Sequence, residues 1–237
     1  MTPGTLYLIP VPLGNGPADL VLLPEVRTLA CRIEDFVVEN AKTARAMLKA
    51  MGHPKPLREI RIAELNEHTP PADIPPLLEP ALQGRILGLM SEAGCPAVAD
   101  PGSALVEIAH RMGIRVVPLV GPSSILLALM ASGMNGQNFA FHGYLPARDP
   151  ERLHALKRLE SASRSARCVQ IFIETPYRNE AMLASCLQLA PETRLCVACE
   201  LTGSGEWIRS AAIRDWIAGQ DPVDLNRRPA VFLIQAQ

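Results

Sequence analysis

The chain has 237 residues, which lies between one and two typical domains of about 150 residues each. Hydrophobic residues make up 48% of the sequence and charged residues 20%, so the composition excludes a disordered protein and predicts a folded core. The 23 Lys and Arg residues against 24 Asp and Glu residues give a net charge of −1. This balance excludes a uniformly basic nucleic-acid-binding protein but allows a local basic patch.

No apolar run approaches the roughly 18 residues that a membrane-spanning helix needs, and the segment MTPGTLYLIP lacks the pattern of a signal peptide. We therefore expect a cytoplasmic protein with no membrane partner. Only two of the six cysteines, Cys196 and Cys199, are close together. They lie in RLCVACEL, which reads as a buried strand with the two side chains on opposite faces. Buried thiols are therefore favoured over a metal or redox site.

Short runs rich in Val, Ile and Leu alternate with helical patterns, which is typical of β-α-β units and a mostly parallel sheet. The predicted strands cover 5–11, 35–39, 58–64, 85–90, 115–119, 139–145, 168–174, 194–201 and 230–235. The predicted helices cover 41–51, 104–112, 124–131, 150–161 and 179–189. The proline-rich segment 69–80 predicts a surface connection that ends in a short helical piece. Nine strands exceed one small sheet, so we expect two α/β domains, 1–119 and 120–237.

Ligands of open α/β sheets collect at the carboxyl ends of the strands, so the loops at these ends are the candidate sites. In the first loop, Gly14 and Gly16 invite comparison with a dinucleotide-binding fingerprint, but Asp19 stands where its third glycine would be. A simple glycine turn is favoured over NAD binding. A P-loop is excluded because no glycine is followed by Lys and then Ser or Thr.

Three further strand ends carry unusual loops: MSEAGCPAVADPG at 90–102, VGPSSI at 120–125 and IFIETPYRN at 171–179. The small residues and prolines of the loop at 90–102 leave main-chain N–H and C=O groups uncovered, which suits close approach to a nucleoside. Ser123 or Ser124 can cap the helix that follows the loop at 120–125, so capping alone accounts for one of the two serines.

The ordered motifs PxPLGN, SEAGCPxxxDPG, GPSS, FxGYLP, FxETPYR and ELT, spread from Pro10 to Thr202, resemble the tetrapyrrole methylase superfamily of S-adenosylmethionine-dependent methyltransferases. Within it, the chain is similar to the branch that methylates a ribose 2′-oxygen of small-subunit ribosomal RNA. The resemblance implies two α/β domains with a cofactor cleft between them, a homodimer, S-adenosylmethionine as cofactor, no metal, and rRNA or the small ribosomal subunit as partner. It assigns cofactor contacts to Leu13, Gly94, Cys95, Val98, Ser123, Ser124, Glu174, Thr175, Leu201 and Ala230.

The chain departs from this branch at two places. Glu39-Asn40-Ala41-Lys42 stands where the rRNA enzymes have Glu-Asp-Thr-Arg, and 65–68 replaces their His-x-His-Asn stretch. Replacing Arg by Lys removes a side chain that can hold phosphate with two parallel hydrogen bonds. The departures indicate a divergent branch. A methyltransferase acting on a tetrapyrrole or another small molecule, or a noncatalytic S-adenosylmethionine-binding protein, therefore remains an alternative.

A hydroxyl acceptor must lose its proton, so a carboxylate at the site is expected to act as a general base. Glu39 and Glu92 are the first candidates for catalytic residues because both lie in motif loops. If the partner is RNA, its phosphates require Lys or Arg. The segment 148–178 has seven basic and four acidic residues, 7 − 4 = +3, which permits RNA binding but is also typical of a solvated helix face.

Overall fold

A computed structural model describes residues 2–14, 16, 18–219 and 224–237. The chain divides into two compact units, residues 1–123 and 124–237. This division falls four residues after the one expected from the sequence. The reason is that the added residues remain in contact with the first unit: the Cys95 thiol contacts the carbonyls of Gly121 (3.8 Å) and Pro122 (3.3 Å).

The first unit is built on a five-stranded sheet in which every pair of neighbouring strands is parallel, in the order β3-β2-β4-β1-β5. Its strands are β1 (Thr5–Leu8), β2 (Asp35–Val38), β3 (Arg61–Glu64), β4 (Leu87–Met90) and β5 (Arg115–Pro118). Its helices are α1 (Ala18–Val21), α2 (Pro24–Ala30), α3 (Ala41–Ala50), α4 (Glu79–Leu82) and α5 (Gly102–Arg111).

Apolar side chains cover both faces of this sheet. Phe36 and Leu48 belong to the core on one face, and Val37 and Leu105 to the core on the other. All four residues of β2 and of β4 are buried, as expected for the inner strands of a parallel sheet. The carboxyl ends of the strands therefore meet along one edge, which leaves the loops after β1, β2, β4 and β5 at that edge.

The second unit has a five-stranded sheet in the order β6-β7-β10-β8-β9. Its strands are β6 (Phe139–Tyr144), β7 (Val169–Glu174), β8 (Arg194–Cys199), β9 (Trp207–Ala212) and β10 (Ala230–Gln235), and its helices are α6 (Ser124–Ser132), α7 (Glu151–Ala166), α8 (Asn179–Cys186) and α9 (Ile213–Ala218). Only β6 and β7 are parallel; the other three pairs are antiparallel. The expectation of a mostly parallel sheet is therefore wrong for this unit.

Strand β9 was not expected from the sequence. Its segment WIRSAA mixes apolar, charged and small residues, and all six are half-buried at the sheet edge, so it carries no clear alternation. Several predicted ends also differ. Strand β1 ends at Leu8 rather than Val11, because Pro10 and Pro12 have no N–H for a ladder.

Helix α7 continues to Ala166, five residues beyond its predicted end, and stops where Arg167 adopts the left-handed conformation (φ 49°). The proline-rich connection consists of two 3₁₀ turns, Pro71–Asp73 and Pro75–Leu78, followed by α4, which confirms its prediction. No helix in the described part of the chain is long and apolar enough to cross a membrane.

Candidate functional site

In the first unit, the loops after β1 and β4 are joined by a pair of main-chain hydrogen bonds. Val11 N–H donates to the carbonyl of Gly94 (2.9 Å), and Gly94 N–H donates back to the carbonyl of Val11 (3.1 Å). The loop after β5 meets them, because a side chain on Gly121 would lie 2.2 Å from Cβ of Pro10. Three of the strand-end loops singled out by the sequence therefore converge at one edge of the sheet.

Gly94 lies at the centre of this convergence. Its φ of +71° is in the left-handed region, and a Cβ there would lie 3.1 Å from Cδ2 of Leu13 and 3.4 Å from the carbonyl oxygen of Pro122. The thiol of the next residue, Cys95, contacts the carbonyls of Gly121 (3.8 Å) and Pro122 (3.3 Å). Leu13, Gly94 and Cys95 are thus brought together, and Ser123 follows Pro122 directly in the chain.

The rest of the loop after β4 is held in a strained conformation by a carboxylate. Ala97 (φ 67°) and Ala99 (φ 61°) are both left-handed, which is uncommon for residues other than glycine. Asp100 Oδ1 accepts hydrogen bonds from the N–H groups of Ala97 (3.0 Å) and Gly102 (2.7 Å), whereas its buried Oδ2 has no partner among the described residues. Burial raises the pKa of Asp100, and these main-chain hydrogen bonds oppose the rise. Val98 lies on the outside of the loop, 48% exposed.

The two carboxylates predicted to be catalytic lie side by side at the ends of β2 and β4. Glu39 Oε2 accepts a hydrogen bond from the N–H of Glu92 (3.1 Å), and Glu92 Oε1 lies 3.4 Å from the hydroxyl of Thr43. Burial raises the pKa of Glu39; the hydrogen bond from Glu92 opposes this rise, and the negative charges of Glu92, Asp100 and Glu67 add to it. A carboxylate with a raised pKa is a better proton acceptor than an ordinary surface Glu.

A cavity of about 380 Å³ opens beside Glu92, which is the one of these two carboxylates that lines it. It is bounded by the loop after β1, by one face of α3 and by the end of β4, with Gly14, Thr43, Met47 and Glu92 among its lining residues. Asn15 and Pro17, in the glycine turn of this loop, lie outside the described residues. The cavity is wide enough for a small molecule or a single nucleotide unit.

The altered stretch after β2 has a structural role here. Asn40 caps α3, because its Oδ1 accepts hydrogen bonds from the N–H groups of Lys42 (2.9 Å) and Thr43 (3.2 Å). Glu64 Oε1 accepts from the N–H of Ala41 (2.8 Å). His68 of the second altered stretch is 85% exposed and lies 3.6 Å from Glu67.

In the second unit, four of the predicted contact positions share one edge of the sheet. Ala230 pairs with Glu174 in the ladder, Thr175 follows Glu174, and Leu201 lies two residues after β8, on the other side of β10. Oε1 of Glu174 accepts from the Thr175 N–H (2.6 Å) and the Arg178 guanidinium (2.7 Å), whereas its buried Oε2 has no partner among the described residues. Ser124 lies elsewhere in this unit, at the first residue of α6.

Asp100 and Thr43 were missed as candidate site residues. Asp100 was visible only as part of the DPG motif, and nothing in the sequence showed that its carboxylate folds back onto the loop. The sequence predicted buried thiols at Cys196 and Cys199, and the structure agrees. Burial raises the pKa of each of these thiols to about 11. In the described ranges, no three His, Cys, Asp or Glu side chains form a group that could hold a metal ion.

Searches with protein-family models found no match to this chain. Curated proteins named ribosomal RNA small subunit methyltransferase I do match: that of Escherichia coli O157:H7 is 31% identical over 98% of this chain and 77% of its own length, and that of Xylella fastidiosa is 31% identical over 100% and 82%. Among solved structures, the methyltransferase CobJ superimposes with a TM-score of 0.61 at 20% identity, covering 99% of this chain and 100% of its own. The chain therefore has the two-domain α/β fold of the tetrapyrrole methylases and belongs to the ribosomal RNA small subunit methyltransferase I family of methyltransferases.

Proposed function

We propose that this protein transfers a methyl group from S-adenosylmethionine to a ribose 2′-oxygen of small-subunit rRNA. The observation that carries the proposal is the convergence of the loops after β1, β4 and β5 around Gly94, which brings main-chain groups of Val11, Gly94 and Pro122 together. The choice of acceptor is supported by the relatives, whose names describe methyltransferases of small-subunit ribosomal RNA.

The residues present fit such a cofactor. S-adenosylmethionine has an ammonium group and ribose hydroxyls that donate hydrogen bonds, and Asp100 Oδ2 and Glu174 Oε2 are buried acceptors without a donor among the described residues. A Cβ at Gly94 would press against Cδ2 of Leu13 (3.1 Å), so the glycine keeps this position free of a side chain where the three loops meet. In the first unit we assign the cofactor contacts to Leu13, Gly94, Cys95, Val98 and Ser123.

For the second unit, we carry over the contacts that the family resemblance gives to Ser124, Glu174, Thr175, Leu201 and Ala230. The open acceptor at Glu174 supports its place in this group.

When bound, S-adenosylmethionine supplies a methyl group activated by an adjacent sulfonium. The chain must hold the acceptor hydroxyl in line and accept its proton. We assign the role of proton acceptor to Glu39, because its pKa is raised and its Oε2 accepts a hydrogen bond from the Glu92 N–H. Glu92 acts as a positioning residue through that N–H, and Thr43 orients the Glu92 carboxylate.

Titration calorimetry tests the cofactor assignment. We expect S-adenosylmethionine to bind at micromolar strength and NAD to give no heat; the opposite pattern would remove the proposal. The variant Gly94→Trp should abolish binding because the indole fills the space beside Leu13 and Pro122. Gly113→Trp is the matched control, since Gly113 also has a left-handed φ (+68°) but has nothing within 4 Å of its Cβ position. Equal binding by two folded variants would show that Gly94 does not line the site.

Labelling tests the acceptor. The protein is incubated with tritiated S-adenosylmethionine and immature small ribosomal subunits from a strain that lacks it, and the product is mapped. A parallel incubation contains a tetrapyrrole acceptor in place of the subunits. Label on a ribose of the small-subunit rRNA is expected. Label on the tetrapyrrole instead would make the protein a small-molecule methyltransferase, and cofactor binding without transfer to either acceptor would make it a noncatalytic binding protein.

The resemblance also gives a homodimer, which we adopt as part of the proposal. Sedimentation equilibrium should give twice the mass of one chain, about 51 kDa from the 25.7 kDa chain. A mass of 25.7 kDa at micromolar concentration would contradict it.

A further inference from the structure

Helix α7 turns an unusual set of charges toward solvent. Its inward side consists of Arg152, Ala155, Leu156 and Ser163, which are all buried. The side opposite them carries Lys157 and Arg158, with His154, Ser161 and Ser165 between and beside them, and all five are exposed. Arg148 just before the helix and Arg167 just after it are exposed as well. We call Arg148, Lys157, Arg158 and Arg167 the α7 basic face.

The acidic residues of the same segment do not neutralise this face. Of the three acids in 148–167, Asp149 binds the buried Arg152 (2.5 Å). Glu160 points inward, where its Oε1 accepts from the Ala190 N–H (2.8 Å) and the Thr193 hydroxyl (2.5 Å). Only Glu151, in the first turn of the helix, remains exposed and without a partner in the described part of the chain.

The four cations of the α7 basic face make no ion pair or side-chain hydrogen bond with any residue that the structure describes. They differ in this from Arg152, whose guanidinium is occupied by Ser185 (2.9 Å), Ala147 (3.0 Å) and Asp149. A solvated helix face in a protein of net charge −1 ordinarily mixes the two signs at neighbouring positions. Four unpaired cations on one helix and its two ends, with Glu151 as the one exposed acid among them that has no partner in the described chain, therefore suit a polyanionic partner.

The position of the helix suits a partner that also reaches the sheet edge of this unit. Strands β6 and β7 are parallel and α7 connects them, so α7 begins near the edge that holds Glu174 and runs back along the sheet. Its 16 residues extend about 24 Å. The four cations are distributed over this length and its two ends, which is comparable with several consecutive phosphates of one strand.

We propose that the α7 basic face binds the sugar–phosphate backbone of the RNA substrate. The inference rests on the proposed function for the identity of the RNA, but it concerns a surface that takes no part in cofactor binding or in methyl transfer. It assigns these cations to affinity and not to the choice of nucleotide, because phosphate contacts are independent of sequence.

The test compares two quadruple variants. In the first, Arg148, Lys157 and Arg158 are replaced by Ala and Arg167 by Gly, which suits the left-handed φ at that position. In the second, Arg32, Lys49, Arg58 and Arg115 are replaced by Ala. These four are equally exposed, also lack a partner among the described residues, and lie in the first unit. Both variants lose four positive charges, so a difference between them reports position and not net charge.

Binding of each protein to in-vitro-transcribed small-subunit rRNA is measured at several salt concentrations. Each lost phosphate contact reduces the slope of log Kd against log salt by about 0.7–0.9, so the first variant should lose about 3 units of slope and bind at least about tenfold more weakly at 0.1 M salt. The control variant should lose less than one unit. Equal losses in the two variants, or an unchanged slope in the first, would overturn the proposal.

Two further readouts separate this inference from the proposed function. If the wild type transfers methyl groups but the first variant binds RNA as strongly as the wild type, the role of the α7 basic face is rejected and the proposed function stands. Binding that depends on this face, without methyl transfer, would reject the proposed function alone. Two other polyanions, phosphatidylserine vesicles and polyglutamate, are tested in the same way. A salt slope that falls in the first variant for one of these polyanions but not for rRNA would reject RNA as the partner. Calorimetric S-adenosylmethionine affinity should be equal in all three proteins.

Discussion

At the scale of single residues, the site depends on which carboxylates the fold brings together. Glu39 and Glu92 are 53 positions apart in the chain but are joined by one hydrogen bond, because β2 and β4 are neighbours in the sheet. The negative charges around Glu39 raise its pKa together with burial. Proximity and a raised pKa are what distinguish this Glu from the exposed Glu residues of the same unit.

The variant Glu39→Gln tests this residue as the proton acceptor. We expect kcat to fall by about 10²- to 10⁴-fold, with little change in the affinity for S-adenosylmethionine. The wild-type kcat should decline as the pH is lowered, because protonation removes the acceptor, and the decline should begin above the range of an ordinary Glu because the pKa is raised. The remaining activity of the variant should lack that decline.

Glu107→Gln is the control, since Glu107 is exposed on α5 and pairs only loosely with Arg111 (3.8 Å). A raised pKa also means that the charged form of Glu39 destabilises the folded protein at neutral pH, a cost that diminishes as the pH falls through the folded-state pKa. Glu39→Gln should therefore be no less stable than wild type at pH 7. A stable variant that keeps full activity would exclude Glu39 as the base.

At the scale of elements, the parallel sheet of the first unit requires close packing at its central strands. Gly88 lies in β4 between Tyr7 of β1 and Phe36 of β2. A Cβ at this position would come within 2.8 Å of Cδ1 of Ile9 and of Cδ1 of Phe36. The glycine is therefore needed for packing, because the neighbouring side chains occupy the space of a methyl group.

Gly88→Ala should lower the free energy of unfolding by about 1–3 kcal/mol, the usual cost of overpacking a core. Urea denaturation followed by circular dichroism measures the change. Gly136→Ala is the matched control, because Gly136 has open space at its Cβ position and an ordinary φ. If the two variants were equally stable, the packing around β4 would be looser than described.

At the scale of the whole molecule, each unit has a core of its own. Phe172 and Phe232 stack at a centroid distance of 5.7 Å in the core of the second unit, and both are fully buried. The cores of the first unit contain no residue of the second. We therefore expect local opening to occur unit by unit.

Phe172→Ala should cost about 3–5 kcal/mol of stability, from lost transfer free energy and the cavity it leaves. Hydrogen exchange read by mass spectrometry should accelerate in 124–237 and stay nearly unchanged in 1–123. Phe139→Ala, at a 40% exposed position in the same unit, should have a much smaller effect. Equal acceleration in both units would show that the chain unfolds as a single cooperative body.

The sequence by itself determined the fold class, most of the strands and the loops that carry the motifs, because these depend on local patterns of apolar residues, glycines and prolines. It did not determine the direction of the strands in the second sheet or the existence of β9, because pairing is decided by contacts between distant segments and an edge strand has a weak pattern. Tertiary structure alone decided that Glu39 meets Glu92, that Asp100 closes the loop around Ala97, and that Asp149 and Glu160 near α7 bind groups other than its exposed cations. Each of these depends on which side chains become neighbours when distant segments pack together. A local sequence pattern does not contain that information.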